Sequence, residues 1–572
     1  MSDDLPDKFD LIVIGTGFPE SCVAAAASRI GKIVLHIDPN DYYGGVWASF
    51  NLESFCALLE QGRNKELRNA TQKWHVTEQL GDECKTGENN QENVDPAAED
   101  GTEKVVVGQS VSTQGTQQWS RQTLLQQSRR FNLDLSPNIL YSAGRLVQLL
   151  VSSNICRYAE FRAVDRVLTR FHNEIINVPC SRSDVFNTKD LNIVEKRLLM
   201  KFLTICLTYG EDKTEEDTAL YRGKTFREYL QEQKVTEKIS SCIMHAIAMC
   251  NDETPFEIGM ARTQQFLSSL GRYGNTPFLF PMYGCGEIPQ CFCRLCAVFG
   301  GTYCLKRRID DITIEADTNI ANVVLEGKTI KANHVVSAQE HLPNVLLERN
   351  MGIYGQGDLV NCLSRGVFLT ATPLGSEELN SGGGGVNILR LLADRQEAFV
   401  IQLSHFSGTC PKGVYIFHFT TVAQSDQPEQ DLAPFVAQVF NSELGNAPKL
   451  LYSACFTIMG RKQAMSSPTV DSSTPIYCTS APFYNLDYDE SIKNARDIFT
   501  KLYGDAEFLP RAPDPEEIVI DGEDPRALSE NSLPDDLREQ LRELEKSVEH
   551  MEFEETDAVS ASESEQHQMD AE

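Results

Sequence analysis

The sequence predicts an α/β fold that begins with a dinucleotide-binding βαβ unit. Residues 9–14 form an apolar run that indicates a buried strand, and the turn at 15–20 that follows reads GTGFPE. In dinucleotide-binding proteins a G-x-G-x-x-G turn at this place opens the first helix. A second predicted strand, 32–38, ends in Asp38, about 20 residues beyond the turn, where the ribose-binding carboxylate usually lies. After residue 271, strand-like runs separated by glycine-containing turns predict a mixed sheet that returns to this unit.

The glycine turn lacks its third glycine, because Glu20 stands at that position. The third glycine lets the helix pack against the strand while its amide groups face a pyrophosphate, so a carboxylate there adds bulk and negative charge beside an anion site. We therefore expect the βαβ unit to serve as a scaffold and to bind neither FAD nor NAD.

Composition and charge limit the possible partners. The 572 residues carry a formal net charge of −30, with 41% hydrophobic and 23% charged residues, which is typical of a globular chain with two or more domains. The negative charge argues against nucleic-acid binding and against electrostatic adhesion to anionic lipid. Residues 512–572 hold 21 Asp and Glu but only 4 Lys and Arg. We therefore expect a mildly acidic folded body followed by an acidic, disordered tail.

The cysteines indicate a reducing compartment. There are 17, an odd number spread through apolar segments, which predicts free thiols. The sequence shows no secretory leader and no run of 18 apolar residues, so a cytosolic protein is expected. Cys293 and Cys296 form a C-x-x-C pair, but no second pair lies nearby at metal-ligand spacing. Buried structural thiols are therefore favoured over a zinc or redox site, and no metal is predicted.

Two kinds of segment interrupt the α/β pattern. Residues 61–118 are mostly polar and lack sustained periodicity, which predicts a disordered insert. Segments 191–207 and 239–250 are apolar on most faces of a helix. Such helices usually belong to a core, and a lipid-accepting groove is the alternative that the residues leave open. The sequence contains no G-x-S-x-G, H-E-x-x-H or phosphate-binding P-loop motif, so no catalytic residues are predicted.

Several ordered motifs between residues 8 and 500 resemble the superfamily of Rab GDP-dissociation inhibitors and Rab escort proteins. The matching segments are DYYGG at 41–45, RYAEF at 157–161 and GRYGNTPFLFPMYGCGEIPQ at 271–290. The insert, the run CFCR at 291–294 and the acidic extension resemble the escort branch more than the shorter dissociation inhibitors. The chain is thereby identified as a member of this superfamily, on its escort branch.

The resemblance implies a specific architecture within the α/β class. It implies an FAD-oxidoreductase-like larger domain without cofactor, plus a smaller inserted helical domain. The larger domain would comprise residues 1–177 and 271–511, and the helical domain residues 178–270. Because fold does not fix function, the loss of the cofactor is compatible with a different use of the same scaffold.

The resemblance also implies that the protein presents other proteins to an enzyme and is not itself a catalyst. An escort protein binds newly made GDP-form Rab GTPases and presents them to the Rab geranylgeranyltransferase heterodimer, to which it is a non-catalytic accessory. It then keeps the geranylgeranyl-bearing Rab soluble until transient delivery to a membrane. Two C20 chains, at about 0.8 kcal/mol per buried CH₂, would otherwise drive aggregation or indiscriminate insertion. The alternatives are recycling of prenylated Rabs by a dissociation inhibitor and, less favoured, a flavin-dependent oxidoreductase.

A Rab-binding platform follows from the resemblance, position by position. Its residues would be Tyr43, Arg272, Glu287, Arg294, Thr302 and Cys304. Cys304 stands where the dissociation inhibitors carry Met, so its contact would be smaller. Tyr and Arg suit such a surface, since one is rigid and amphipathic and the other a forked donor. From the residues alone, Glu287 and Arg294 are better explained as an i,i+7 pair on one helix face.

Two further sites are implied more weakly. Transferase docking would fall on a helix starting near Phe186, with Phe186 and Val194 as exposed apolar anchors. The geranylgeranyl lipid would enter among five apolar residues of the helical segments. These are Phe202, Leu203, Cys206, Ile243 and Ile247.

Overall fold

Two large β-sheets with helices packed around them dominate the computed structural model of the protein. The residues that the structure describes are 5–62, 64–78, 118–172, 174–180, 182–188, 191–210, 219–315, 317–342, 362–375, 385–441, 447–460 and 475–511. The strands are, in chain order, β1 (Lys8–Ile14), β2 (Val34–Asp38), β3 (Ser49–Phe50), β4 (Leu67–Trp74), β5 (Leu133–Asp134), β6 (Leu140–Tyr141), β7 (Phe161–Ala163), β8 (Arg166–Phe171), β9 (Glu174–Asn177), β10 (Phe278–Pro281), β11 (Thr302–Leu305), β12 (Ile309–Ile314), β13 (Ala321–Leu325), β14 (Lys328–Ser337), β15 (Leu363–Thr370), β16 (Val386–Ala393), β17 (Gln396–Leu403), β18 (Tyr415–Val422), β19 (Leu450–Ile458) and β20 (Ile476–Cys478). The α-helices are α1 (Phe18–Arg29), α2 (Leu52–Gln61), α3 (Arg121–Gln126), α4 (Arg145–Ser152), α5 (Arg182–Asn187), α6 (Ile193–Leu207), α7 (Phe226–Glu232), α8 (Glu237–Cys242), α9 (Phe256–Ser269), α10 (Glu287–Val298), α11 (Pro428–Phe440) and α12 (Asp489–Tyr503).

The first sheet has the strand order β11-β2-β1-β14-β13-β12, with β20 paired to β14. β11, β2, β1, β14 and β20 run parallel, whereas β13 pairs antiparallel with both β14 and β12. The strand order reverses beside β1, as in dinucleotide-binding sheets, whose ligands lie beyond the carboxyl ends of the strands at this point. The predicted α/β class and the βαβ unit are confirmed.

The first helix is buried on almost every side because it lies between the first sheet and two other helices. α1 packs against β1 and also against α10 and α12. Four consecutive alanines, at 24–27, are fully buried within it. Their small side chains allow the neighbouring helices to approach closely while favouring the helical backbone. The glycine turn before α1 is therefore held rigidly against the sheet.

The second sheet has the strand order β4-β19-β15-β18-β17-β16-β8-β9. Its pairs are antiparallel except for β16 and β8. β15 is buried along its whole length, because it is paired on both sides and covered by α11. It carries Arg365, a charged residue with no exposed surface.

Helices α5 to α9 and a π-helical turn at Ile243–Ile247 lie between residues 182 and 269. Arg390 of β16 donates hydrogen bonds to the carbonyl oxygens of Met244 at 3.3 Å and Cys250 at 2.8 Å. These contacts attach the helices to the second sheet. The described residues up to Arg511 cluster into one unit, and a separate helical domain at 178–270 stays a prediction.

The disordered insert expected from residue 61 is wrong at its start. β4 lies inside it, pairs with β19 and forms one edge of the second sheet. Most side chains of β4 are exposed. An edge strand is held by backbone hydrogen bonds on one side and needs no apolar face, so its polar sequence resembles a loop. Residues 79–117 of the insert and the tail at 512–572 lie outside the described residues.

The cysteines of the described residues are all free thiols, and most are buried. The prediction of free thiols is confirmed for this part of the chain. Within the same ranges, no helix combines the length and apolar character needed to cross a bilayer.

Candidate functional site

Glu20 occupies the turn where a dinucleotide fold would receive a pyrophosphate. Its side chain is buried and accepts a hydrogen bond from the hydroxyl of Thr479. A Cβ built at Gly17 would overlap the Glu20 carboxylate, so this carboxylate covers the turn at close range. A pyrophosphate brought to the amino end of α1 would meet a negative charge in place of free space.

Asp38, the predicted ribose-binding carboxylate, is engaged within the protein. Its Oδ2 accepts hydrogen bonds from the amide and hydroxyl of Thr16 at 2.7 and 2.6 Å, and its Oδ1 accepts one from the amide of Asn40 at 2.7 Å. The Thr16 hydroxyl also accepts the amide of Gly44 at 2.9 Å. Gly44 has a φ of 98°, which favours glycine. This network holds the loop that carries Tyr43.

The purified protein is expected to carry neither FAD nor NAD, because Glu20 covers the turn and Asp38 is already hydrogen-bonded. The measurement is the visible absorbance of the native protein, together with mass spectrometry of the small molecules released on denaturation. Flavin or nicotinamide at near-stoichiometric occupancy would contradict this expectation.

The C-x-x-C pair lies in the core beneath this loop. Sγ of Cys293 is 3.2 Å from the hydroxyl of Ser21, and burial raises the pKa of the Cys293 thiol to about 12. Burial likewise raises the pKa of Cys296. Because the thiolate is the reactive form, these are structural thiols, as the sequence predicts.

Tyr303 supports Tyr43 from the neighbouring strand. The two rings are 5.9 Å apart, and the Tyr303 hydroxyl is 3.1 Å from Nδ1 of His36. Burial lowers the pKa of His36 to about 4, so the imidazole is neutral near pH 7. The resemblance gave a role to Thr302 and Cys304 but not to Tyr303 between them. Because side chains alternate along a strand, Tyr303 lies on the opposite face from these two neighbours.

Helix α10 carries Glu287 at its start and Arg294 about two turns later. Glu287 lies in the first turn, where the helix dipole favours a carboxylate, and its partial burial raises its pKa. Arg294 is exposed, and its guanidinium lies 4.8 Å from the ring centre of Tyr158. No ion pair joins the two residues in the described part of the chain, because i,i+7 spacing separates them by about 10 Å along the helix axis. The alternative that the residues alone favour, two positions on one helix face with no binding partner, stays open.

Thr302 and Cys304 lie on β11, the edge strand of the first sheet. They alternate with Tyr303, so they lie on the opposite face from the Tyr43 contact. Cys304 packs there, as Ile309 does, against the apolar cluster that includes Leu35 and Ile37. The structure thus brings Tyr43, α10 and the edge strand into one region but divides its residues between two faces of the sheet.

Arg272 lies apart from α10 and β11 in the chain, in the loop between α9 and β10. It is exposed, and its Nε donates to the carbonyl oxygen of Ser268 at 3.2 Å. We call Tyr43, Glu287, Arg294, Thr302, Cys304 and Arg272 together the candidate platform.

The two predicted docking anchors are strongly exposed. Phe186 has 71% of its surface exposed and Val194 63%, and Ile193 beside it, which the resemblance did not include, has 71%. Nζ of Lys196 donates to the carbonyl oxygen of Phe186 at 2.7 Å, which joins α5 to α6. The expected helix starting near Phe186 is wrong, because Phe186 lies near the end of α5. A new helix begins after Asn192, which forms a capping box with Glu195.

The five predicted lipid residues lie in the packed core of the helices. Phe202, Cys206, Ile243 and Ile247 are buried, and Leu203 is half-buried. The ring of Phe202 is 6.1 Å from that of Phe226 and 6.5 Å from that of Tyr229. The residues therefore fill space that a lipid chain would need. Ile243 and Ile247 are the two ends of the π-helical turn, a rare geometry found most often at functional sites.

Comparisons with known proteins point to one family. The model of the family described as GDP dissociation inhibitor matches residues 5–78 and 108–506. The chain is 56% identical to Rab proteins geranylgeranyltransferase component A of Drosophila melanogaster, over 97% of this chain and 100% of that protein. It is 32% identical to Rab proteins geranylgeranyltransferase component A 1 of Rattus norvegicus, over 91% and 95%.

A solved structure shares the fold. The crystal structure of Rab GDI from Plasmodium falciparum matches with a TM-score of 0.60 and 18% sequence identity. The match covers 89% of this chain and 100% of that chain. The two sheets and their helices therefore form an arrangement that is retained at low sequence identity.

Proposed function

Because the chain belongs to the GDP dissociation inhibitor family, we propose that it is a Rab escort protein, which binds GDP-form Rab GTPases and presents them to Rab geranylgeranyltransferase. The observation that carries this proposal is the 56% identity to a geranylgeranyltransferase component A along nearly the whole of both chains. The protein then acts as a non-catalytic accessory in the cytosol, and the transferase supplies the chemistry.

The candidate platform would receive the Rab. Tyr43 is held by the network of Thr16 and Asp38, so this aromatic residue is presented with little conformational freedom. Arg294 is kept over the Tyr158 ring, where a guanidinium can still donate outward. Preorganised aromatic and arginine side chains are the residues most often found at the energetic centre of an interface.

The helices between 193 and 269 would receive the lipid after it is attached. The apolar residues of these helices include Phe202, Cys206 and those of the π-helical turn. In this structure they are buried in contacts between the helices. A lipid chain would enter as the helices separate. Contacts between apolar side chains would then be replaced by contacts with the lipid that keep a similar apolar area away from water. The irregular turn at Ile243–Ile247 is where the helical backbone is wider and thus easier to repack.

Reconstitution tests the escort function directly. A GDP-bound Rab and the purified transferase heterodimer are incubated with geranylgeranyl diphosphate, with and without this protein, and incorporated lipid is measured. An escort protein makes prenylation of the unmodified Rab depend on its addition, and it co-purifies with the transferase. A dissociation inhibitor would extract prenylated Rab from membranes but would leave the rate of prenylation unchanged, and that result would contradict the proposal.

Tyr43→Ala and Arg294→Ala are each expected to weaken binding of GDP-Rab by about 1–3 kcal/mol, the range for a residue at the centre of an interface. Titration calorimetry with a non-prenylated GDP-Rab measures the affinity. Both side chains are at least partly exposed, so the variants should melt close to the parent protein.

The matched control is Arg129→Ala, an exposed arginine in the loop between α3 and β5. It should bind Rab with unchanged affinity. Parent-like affinity in both platform variants would remove the platform assignment, whereas a loss in the control as well would show that net charge, not the platform, governs binding.

A further inference from the structure

A cation-lined cavity of about 220 Å³ opens at the carboxyl edge of the first sheet. Its walls include the end of β1, the segment after β2 and the residues that link β11 to β12. The polar and charged residues that line it are Asn40, Asn64, Lys65, Arg307, Arg308, Glu340 and His341. In sheets of this kind, ligands bind beyond the carboxyl ends of the strands where the strand order reverses.

The residues around this cavity exclude a dinucleotide. Glu20 covers the turn that would hold a pyrophosphate, and both oxygens of Asp38 are hydrogen-bonded to Thr16 and Asn40. The ring of His341 packs over Gly15, so closely that a Cβ at Gly15 would lie 2.9 Å from it. A volume of about 220 Å³ is also below the range of roughly 300–1,000 Å³ typical of pockets for larger ligands.

The charges of the lining favour a small anion. Lys65 and Arg308 have no hydrogen-bonding or ion-pair partner among the described residues, whereas Arg307 is paired with Glu326. Ammonium and guanidinium groups only donate hydrogen bonds, and a phosphate offers both of them charged acceptor oxygens. Glu340 adds one carboxylate to the lining, but the two cations without a partner among the described residues, Lys65 and Arg308, leave the lining net positive in a chain whose net charge is −30.

We infer that this cavity binds a phosphate group, either free or at the end of a small phosphomonoester. Lys65 and Arg308 hold the phosphate oxygens, and Arg307, whose amide donates to the carbonyl oxygen of Asp38 at the end of β2, lines the wall beside them. The site lies at the edge of the sheet where related folds bind their cofactor, but the glycine turn and the side chain of Asp38 do not contribute to it. It also adjoins the loop of the candidate platform, because Asn40 lies three residues before Tyr43.

Calorimetric titration of the full chain without Rab tests the inference. The probes are inorganic phosphate and glycerol 3-phosphate, and the variant is Lys65→Gln with Arg308→Gln. We expect saturable binding of at least one probe by the parent protein, weakened about tenfold or more in the variant. Both side chains are exposed, so the variant should retain the parent melting temperature.

The matched control removes one lysine and one arginine elsewhere, as Lys493→Gln with Arg129→Gln, and should bind like the parent. Vesicles of phosphatidylcholine with and without phosphatidic acid distinguish the source of the phosphate. Sedimentation with phosphatidic acid that the cavity variant loses indicates a lipid headgroup, whereas binding of the soluble probes alone indicates a free metabolite. Absence of saturable binding to all probes, or equal loss in the cavity variant and the control, would overturn the inference.

Discussion

The double variant Phe186→Ala with Val194→Asp is expected to lose support of Rab geranylgeranylation at limiting transferase while still binding GDP-Rab. Phe186 and Val194 are among the most exposed large apolar residues of the structure, at 71% and 63%. Truncating an anchor of an interface costs about 2 kcal/mol or more, and placing a carboxylate in a desolvated contact costs more still. The combined loss corresponds to roughly a hundredfold or more in transferase affinity.

The measurement is the initial rate of lipid transfer at transferase concentrations below the affinity of the parent complex, with Rab binding measured separately by titration. The matched control is Ile33→Ala with Val151→Asp, since these residues are also exposed, at 57% and 56%, but lie outside the helices proposed to receive the lipid. The control should prenylate Rab at the parent rate. A parent-like rate in the docking variant would place the transferase contact elsewhere on the chain.

Ile193, which the sequence did not single out, allows a second test of the same surface. It is as exposed as Phe186 and adjoins Val194 at the start of α6. If the three side chains form one contact surface, Ile193→Asp should reduce transferase affinity to an extent similar to Val194→Asp. The capping box of Asn192 and Glu195 is backbone-directed and should keep α6 intact in both variants.

The βαβ unit could be predicted from sequence because its signals are local. A buried strand, a glycine turn and Asp38 at the expected spacing lie within the first 38 residues, and the loss of the third glycine at Glu20 is visible in the same segment. The structure adds the reason that the unit persists. Thr16 and Asp38 now bind each other and the amide of Gly44, so residues of a cofactor motif position Tyr43 instead.

The parts that the sequence could not predict depend on contacts distant along the chain. β4 reads as a polar loop because an edge strand needs only backbone pairing with β19, almost 400 residues later. Whether Phe202 and Cys206 form a core or a lipid groove depends on how far the helices lie apart, and an apolar sequence is compatible with either. The exposure of Phe186 is likewise set by the short helix α5, which hydropathy alone does not indicate.

Arg365 is the most buried charged residue of the second sheet, and its acceptors come from β18 and from the residue that follows β5. Its Nε donates to the carbonyl oxygen of Leu135 at 2.8 Å, and its Nη1 donates to the carbonyl oxygen of Phe419 and to the hydroxyl of Thr420. Nη2 lies 3.3 Å from Nδ1 of His418, which must accept because a guanidinium has no lone pair to offer. Burial lowers the pKa of Arg365 to about 9, so the side chain is still cationic near pH 7.

The contacts of Arg365 continue toward the candidate platform. Leu135 follows Asp134, whose Oδ1 accepts hydrogen bonds from the amide of Cys285 at 2.8 Å and from the hydroxyl of Ser49. The same hydroxyl accepts the amide of Gly286 at 2.8 Å, one residue before α10 begins. The start of the helix that carries Glu287 is therefore fixed through the segment that Arg365 holds.

Arg365→Ala is expected to lower the free energy of unfolding by about 3–5 kcal/mol, because it leaves buried acceptors without a donor and opens a cavity in the sheet. Arg365→Lys should recover only part of this loss, since a single ammonium cannot reach acceptors on three sides as a planar guanidinium does. The midpoint of urea denaturation measures the effect, with the exposed Arg129→Ala within about 0.5 kcal/mol of the parent as the control. Equal midpoints for Arg365→Ala and Arg129→Ala would show that the buried guanidinium does not stabilise the protein.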